Sequence, residues 1–184
     1  MLIVSLSGYA RSGKDSVADF LVQDHGFKRY AFADRLRGAL LALDPYVAAE
    51  NGTVRLSRLI DFRGWDEAKV EYPEVRRLMQ VMGTDVGRSL LGQDIWVNLL
   101  FKQLGEENPE RAVLTDCRFP NEIGGVLDCG GFPVWVKRDG VGPLNSHISE
   151  VSVSAEDCVT TLENSGSRTD LRQNVAGLAE RLGF

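Results

Sequence analysis

Residues 1–20, MLIVSLSGYARSGKDSVADF, constrain the fold of this chain more than any other stretch. An apolar run leads into Gly8-Tyr-Ala-Arg-Ser-Gly13-Lys14 and then into residues at helical spacing. Leu2, Ile3, Val4 and Leu6 have the short apolar pattern of a buried strand, and Val17, Ala18, Phe20 and Leu21 recur on one face of a helix. A strand that turns through glycines into a helix can curl several backbone N–H groups around one anion. The helix dipole adds to that attraction, and Lys14 supplies a mobile positive charge. An ordinary Gly-rich turn would use the same residue types, but the strand-loop-helix context favours a phosphate-binding loop. The Ser or Thr that normally follows the lysine is here Asp15, with Ser16 one place later. A carboxylate is a hard oxygen ligand, so Asp15 can serve Mg²⁺ directly or through water while Ser16 faces a phosphate.

A chain of 184 residues is long enough to bury a full core, and one domain over 1–184 is expected. The formal net charge of −5 provides no general basic footprint, so nucleic acid is not the expected partner. Local positive charge in an acidic protein suits a small anionic ligand. Cys117, Cys129 and Cys158 are widely spaced and contain no CxxC, which fits neither a disulfide framework nor a zinc site; buried thiols in a reducing compartment are expected. No apolar run reaches membrane-spanning length and the N-terminus lacks a signal-peptide pattern, so a cytoplasmic location without membrane contact is expected.

Periodicity predicts a strand at 27–32, a helix at 34–43, and helical spacing from Pro73 through Met82 and again from Asp94 through Leu104. Strands are expected at 111–115, 132–136 and 158–162, with helices at 120–128 and 170–182. Residues 44–72, punctuated by Pro45, Asn51-Gly52 and Gly64, read as an insert that is helical in pieces rather than core. Alternating strands and helices imply an α/β fold: a five-stranded parallel sheet covered by helices on both faces, with ligands at the carboxyl ends of the strands. The phosphate loop, Asp116, Arg118, Arg138 and residues 164–167 all follow strands and should converge there.

Asp116 stands at a strand end, where a carboxylate serves either Mg²⁺ or the local backbone. Two residues on, Arg118 offers a planar, permanently charged fork suited to phosphate. Arg76 and Arg77 lie beside an apolar helical face and fit either a solvated surface or an anion site. Gly83-Thr84-Asp85 breaks the pattern as a helix-to-helix turn or as an anion or base contact. Trp96, at helical spacing, fits the core or a base-stacking position.

Taken together, GYARSGKDSVADF, VRRLMQVMGTD followed by DIWV, TDCRFPNE, SHISE and the late ENSGS resemble the deoxynucleoside monophosphate kinases of bacteriophages, within the P-loop kinases. The resemblance spans nearly the whole chain except 44–72. It implies a P-loop kinase fold with a helical substrate-binding insert and a short lid at about 138–150. It further implies that Gly8, Arg11, Ser12, Gly13, Lys14, Asp15 and Ser16 hold the ATP phosphates and Mg²⁺, with Asn164, Gly166 and Ser167 near the adenine. Arg37, Arg76, Gly83, Thr84, Trp96, Asp116 and Glu122 would face a deoxynucleoside monophosphate. Lys14, Arg118 and Arg138 would be catalytic, and Asp15 and Asp116 would be the candidate metal ligands. The implied reaction moves the γ-phosphoryl of ATP to the 5′-phosphate of a dNMP, supplying dNTP precursors for phage DNA synthesis. Two other readings stay open: a kinase of another phosphorylated metabolite, of the phosphomevalonate or dephospho-coenzyme A type, and a non-catalytic nucleotide-binding protein. Dimerisation is also left open.

Overall fold

A computed structural model describes residues 1–50, 52–143 and 152–184. They form two compact units, one of Met1–Ala31 with Gln103–Phe184, the other of Phe32–Lys102.

The first unit is built on β1 (Leu2–Ser7), which is buried from Ile3 onward. Strands buried on both faces carry near-continuous apolar runs, and LIVSLS is one. Around it stand β2 (Lys28–Tyr30), β5 (Arg111–Leu114), β6 (Phe132–Lys137) and β7 (Thr160–Glu163), in the order β2-β5-β1-β6-β7 and all parallel. Val4 pairs with both Val113 and Phe132, which fixes the register of the central strands. Helix α1 (Lys14–His25) and the last helix, α7 (Arg168–Leu182), bury Val17, Phe20, Leu21, Leu171, Val175 and Leu178 against Val4 and Leu6. On the opposite face, Val126 of α6 (Pro120–Asp128) meets Ile3. A Cβ added at Gly131 would lie 2.8 Å from the first and 3.0 Å from the second, so only glycine lets the chain turn there into β6. Five strands and helices on both faces follow the sequence expectation. β2 is shorter than expected, because Phe32 already opens the next helix.

At the sheet edge, Glu107 gathers three donors: Lys28, Gln103 at 2.7 Å and the Tyr30 hydroxyl at 2.9 Å. The Lys28 contact first, then Gln103 and Tyr30, hold its carboxyl down at about 2.

The second unit contains α2 (Phe32–Leu43), the antiparallel hairpin β3 (Tyr46–Ala49) and β4 (Gly52–Arg55), α3 (Leu56–Glu71) and α4 (Pro73–Gln80). A π-helical segment (Val81–Leu91) follows, and then α5 (Ile95–Glu107), whose residues up to Lys102 belong to this unit. Leu36, Leu40, Val47, Leu56, Leu59, Ala68, Val75 and Trp96 form its core.

Here the sequence expectation needs two corrections. Residues 44–72 are helical only from Leu56, and four of their side chains are core. The hairpin was overlooked, although Asn51-Gly52 between YVAA and TVR is a strong short-range hairpin signal. Asp44, left-handed at φ 46°, ends α2, and its carboxylate accepts the Ser57 N–H at 2.9 Å, which ties the hairpin's base together. Nor does Gly83-Thr84-Asp85 break the helix. The chain continues through it in the wider π form.

Candidate active site

In the first unit, the loop between β1 and α1 owes its curl to three left-handed residues, Gly8 (φ 139°), Arg11 (φ 68°) and Gly13 (φ 96°). Two of the glycines are also sterically required. A Cβ on Gly8 would lie 2.5 Å from the Val136 carbonyl oxygen, and one on Gly13 would lie 2.1 Å from Asn164 Nδ2. Asn164, buried at the end of β7, donates through Nδ2 to the Ser12 carbonyl at 2.7 Å and through its backbone N–H to Lys137 at 2.7 Å. The ends of β6 and β7 therefore clamp the loop. This structural task for Asn164 stands beside the adenine contact expected of it.

The loop is built to take an anion. Gly13 caps α1 without any side-chain hydrogen bond, so no side chain at the cap competes for the first-turn N–H groups. The Lys14 ammonium rests on the carbonyls of Gly8 at 2.6 Å and Tyr9 at 2.8 Å, across the mouth of the loop. Ser12 Oγ is buried without a hydrogen-bond partner. Asp15 and Arg11 are exposed and Ser16 is half-buried. The Asp15 carboxylate stands 3.7 Å from Arg29 Nη1, and Arg29 Nη2 donates to the Asp15 carbonyl at 2.9 Å and to Asp19 at 3.1 Å. Sequence reasoning missed Arg29, which carries no motif. Its position on β2 beside α1 is set only by the sheet order.

The segment after β5 is also held by its backbone. Ser7 Oγ donates to the Cys117 carbonyl at 3.0 Å, joining the ends of β1 and β5. The Glu122 carboxylate, buried in the first turn of α6, accepts the N–H groups of Arg118 at 2.7 Å and Phe119 at 3.1 Å. Glu122 thus shapes the loop that carries Arg118. Asp116, half-buried, opens that loop. Burial, with Glu122 and Asp116 nearby, pushes the Cys117 thiol well up, so it is not a nucleophile. Cys158 is raised to about 11 by burial, whereas Cys129 is exposed, contrary to the expectation of three buried thiols.

Beside the loop, a cleft of about 320 Å³ is lined by Tyr9, Ser12, Trp135, Arg138, Asp139 and Ser154 among others. Tyr9 and Trp135 meet edge to face at 5.3 Å in its wall. Ser165 Oγ accepts the Asp139 N–H at 2.9 Å, which draws the segment after Arg138 to the end of β7. Gly166 and Ser167 serve α7: a Cβ on Gly166 would lie 2.7 Å from the Asp170 carboxylate, which takes the Ser167 amide and hydroxyl at 2.8 Å each. The end of the expected lid, with SHISE, falls at 144–151, outside the described residues.

The expected acceptor residues lie in the second unit. Trp96 is 4% exposed, and its indole N–H donates to the Gly83 carbonyl at 2.9 Å. Of the two roles open to it from the sequence, the core role is the one observed. Arg88, unremarked in the sequence, donates through Nη1 to the same carbonyl at 3.1 Å. Thr84 is exposed beside it. Arg37 donates to Asp34 at 3.2 Å and lies 5.9 Å from the Trp65 ring, its Nε buried without a hydrogen-bond partner. Arg76 stands on the exposed side of α4, while its neighbour Arg77 is tied to Glu74 by two bonds of 2.7 Å.

No group of three or more His, Cys, Asp or Glu able to hold a metal exists among the described residues. Among the same residues, no helix is long and apolar enough to cross a membrane.

Four similarities to known proteins bear on the family. A family model for deoxynucleotide monophosphate kinase matches residues 65–175. A protein of Acanthamoeba polyphaga mimivirus, named as a candidate deoxynucleotide monophosphate kinase, is 28% identical over 83% of this chain and 82% of its own length. The deoxynucleotide monophosphate kinase of Enterobacteria phage T4 is 23% identical over 93% of this chain and 95% of its own. Among solved structures, a dephospho-CoA kinase from Campylobacter jejuni is similar over 98% of this chain and 96% of that one, at 12% identity and a TM-score of 0.48.

Proposed function

This chain belongs to the deoxynucleotide monophosphate kinase family, and from that premise we propose how its own residues divide the work of phosphoryl transfer. It is a phosphotransferase, with ATP as donor and a deoxynucleoside monophosphate as acceptor. The observation that carries the proposed division is the loop of residues 8–16. Its backbone is fixed by Gly8, Arg11 and Gly13, its helix end has no side-chain cap, and Lys14 lies across its mouth.

In this reading, the 8–16 loop binds the donor phosphates through the first-turn N–H groups of α1, Lys14 and Ser12 Oγ. Mg²⁺, when bound, would neutralise charge on the phosphate oxygens, and Asp15 and Asp116 are the carboxylates that would hold it, directly or through water. Asn164 keeps the loop's shape from behind. Arg118 and Arg138 supply positive charge to the group in transfer. Arg37, Arg76 and Thr84 hold the deoxynucleotide, while Gly83, buried with its carbonyl accepting from Trp96 and Arg88, supports Thr84 rather than contacting the ligand as expected. The accepting oxygen belongs to a phosphate whose second pKa is about 6, so it is already anionic at neutral pH and needs no strong base. What remains for the protein is alignment and charge cancellation, the main sources of catalysis in phosphoryl transfer.

A coupled assay of ADP release tests this with dAMP, dCMP, dGMP and dTMP, the matching ribonucleotides, phosphomevalonate and dephospho-coenzyme A. Turnover with at least one dNMP and none with the last two is expected. Activity confined to either of those metabolites, or ATP binding without acceptor-dependent turnover, would overturn the reading.

A further inference from the structure

The carbonyl of Gly83 receives two side-chain donors from later in the chain: the buried indole N–H of Trp96 at 2.9 Å and Arg88 Nη1 at 3.1 Å. Space for the indole exists only because position 87 is glycine, where an added Cβ would lie 2.6 Å from the Trp96 ring. Position 83 is equally tight, since a Cβ there would lie 2.8 Å from Leu36 Cδ1. Two glycines and two donors thus converge on one peptide group inside the π-helical segment.

That convergence explains why the helix does not end at the Gly83-Thr84-Asp85 break suggested by the sequence. In the π form each N–H reaches five residues back, as the Gly92 N–H does to the Gly87 carbonyl at 3.0 Å. Such segments are rare and frequent at functional sites, because the wider turn costs stability and persists only where other contacts hold it. Here those contacts are identified, and the residue adjoining the clamped peptide is the exposed Thr84.

We infer that Arg88 and Trp96 are positioning residues, which clamp the Gly83 carbonyl so that the π-helical turn presents Thr84 to the acceptor nucleotide. This rests on the reading that Thr84 contacts the deoxynucleotide. Trp96 then acts through its N–H and not by stacking on a base, and Arg88 acts through the backbone and not on a phosphate. The clamp sets acceptor affinity. Donor affinity should be indifferent to it, because the donor loop is built from other elements of the chain.

Steady-state kinetics with ATP and each of dAMP, dCMP, dGMP and dTMP test the inference on Trp96→Phe, Arg88→Met, Arg88→Lys and Thr84→Ala. Trp96→Phe keeps the ring and removes the donor. Trp96→Phe and Arg88→Met should each raise KM for the accepted dNMP about five- to tenfold, the loss of one hydrogen bond to a carbonyl, with KM for ATP unchanged. Arg88→Lys, which keeps a donor, should recover part of that loss. A merely structural role would lower the active fraction, and so kcat, at unchanged dNMP KM; that result in Trp96→Phe would overturn the clamp. The Thr84→Ala arm separates the two claims. If Thr84→Ala raises dNMP KM and the clamp variants do not, the inference fails alone. Should Thr84→Ala leave it unchanged, the reading of Thr84 fails, and the clamp's role in substrate binding falls with it.

Discussion

The two units of this chain hold their functional backbone by opposite means. In the first, the proposed donor loop is short, continuous in sequence, and shaped mainly by its own left-handed residues, with Asn164 added from outside. In the second, the turn at Gly83 is shaped by side chains five and thirteen residues away, which reach a single carbonyl. A site fixed by local backbone conformation tolerates change around it but none within it. A site fixed by side chains from elsewhere can be retuned piecemeal, and that arrangement would suit the acceptor-binding role proposed for this turn.

The largest effect that should distinguish the two comes from adding one methyl group. Gly13→Ala places a Cβ 2.1 Å from Asn164 Nδ2 on a backbone at φ 96°, so loop and clamp cannot coexist. We expect kcat/KM for ATP to fall by about 100-fold or more, as loss of a preorganised anion site does. The same change at Gly38, inside α2 with nothing within 4 Å of the added atom, should instead stabilise the protein by about 0.5–1 kcal/mol. Parallel urea melts and ATP kinetics check both. If Gly13→Ala retains its activity, the loop is not fixed by local conformation.

Next in size is Arg118→Ala. The backbone of this residue is held by Glu122, so removing the side chain should leave the loop intact. Its charge matters most as the phosphoryl group moves, so we expect kcat to fall about 100-fold while KM for ATP changes by less than about threefold. An equal loss in ATP affinity would make Arg118 a binding residue only.

The smallest effect concerns Glu107, whose carboxyl is depressed from 4.5 to about 2 by Lys28, Gln103 and Tyr30. A depressed carboxylate contributes stability above its unfolded pKa, and the contribution is lost as pH falls through the folded value. Stability to urea should therefore decline between pH 5 and about 2, and Glu107→Gln should flatten part of that decline. The same slope in both proteins would show that the cluster does not matter to the sheet edge.

This contrast also explains what the sequence could disclose. The parallel sheet, the loop and the helix starts were legible because each rests on local signals: an apolar run, glycines at set spacing, Pro120 opening a helix. The backbone-holding roles of Asn164, Glu122 and Arg88 were not legible, because nothing in residue type or spacing announces which backbone group a side chain will reach. The hairpin at 46–55 had a usable signal in Asn51-Gly52. The π-helical segment had none, since glycines at 83 and 87 ordinarily end helices.

The central claim is that the loop of residues 8–16 holds a donor whose γ-phosphoryl passes to a deoxynucleoside monophosphate. Transfer of label from γ-³²P-ATP, followed with the four dNMPs in the wild-type protein and in Lys14→Ala, tests it most directly. The account predicts labelled dNDP from at least one acceptor, with formation at least about 100-fold slower in Lys14→Ala, as for other lost charge-stabilising contacts. Label that reaches no dNMP, or reaches it equally fast without the Lys14 ammonium, would contradict it.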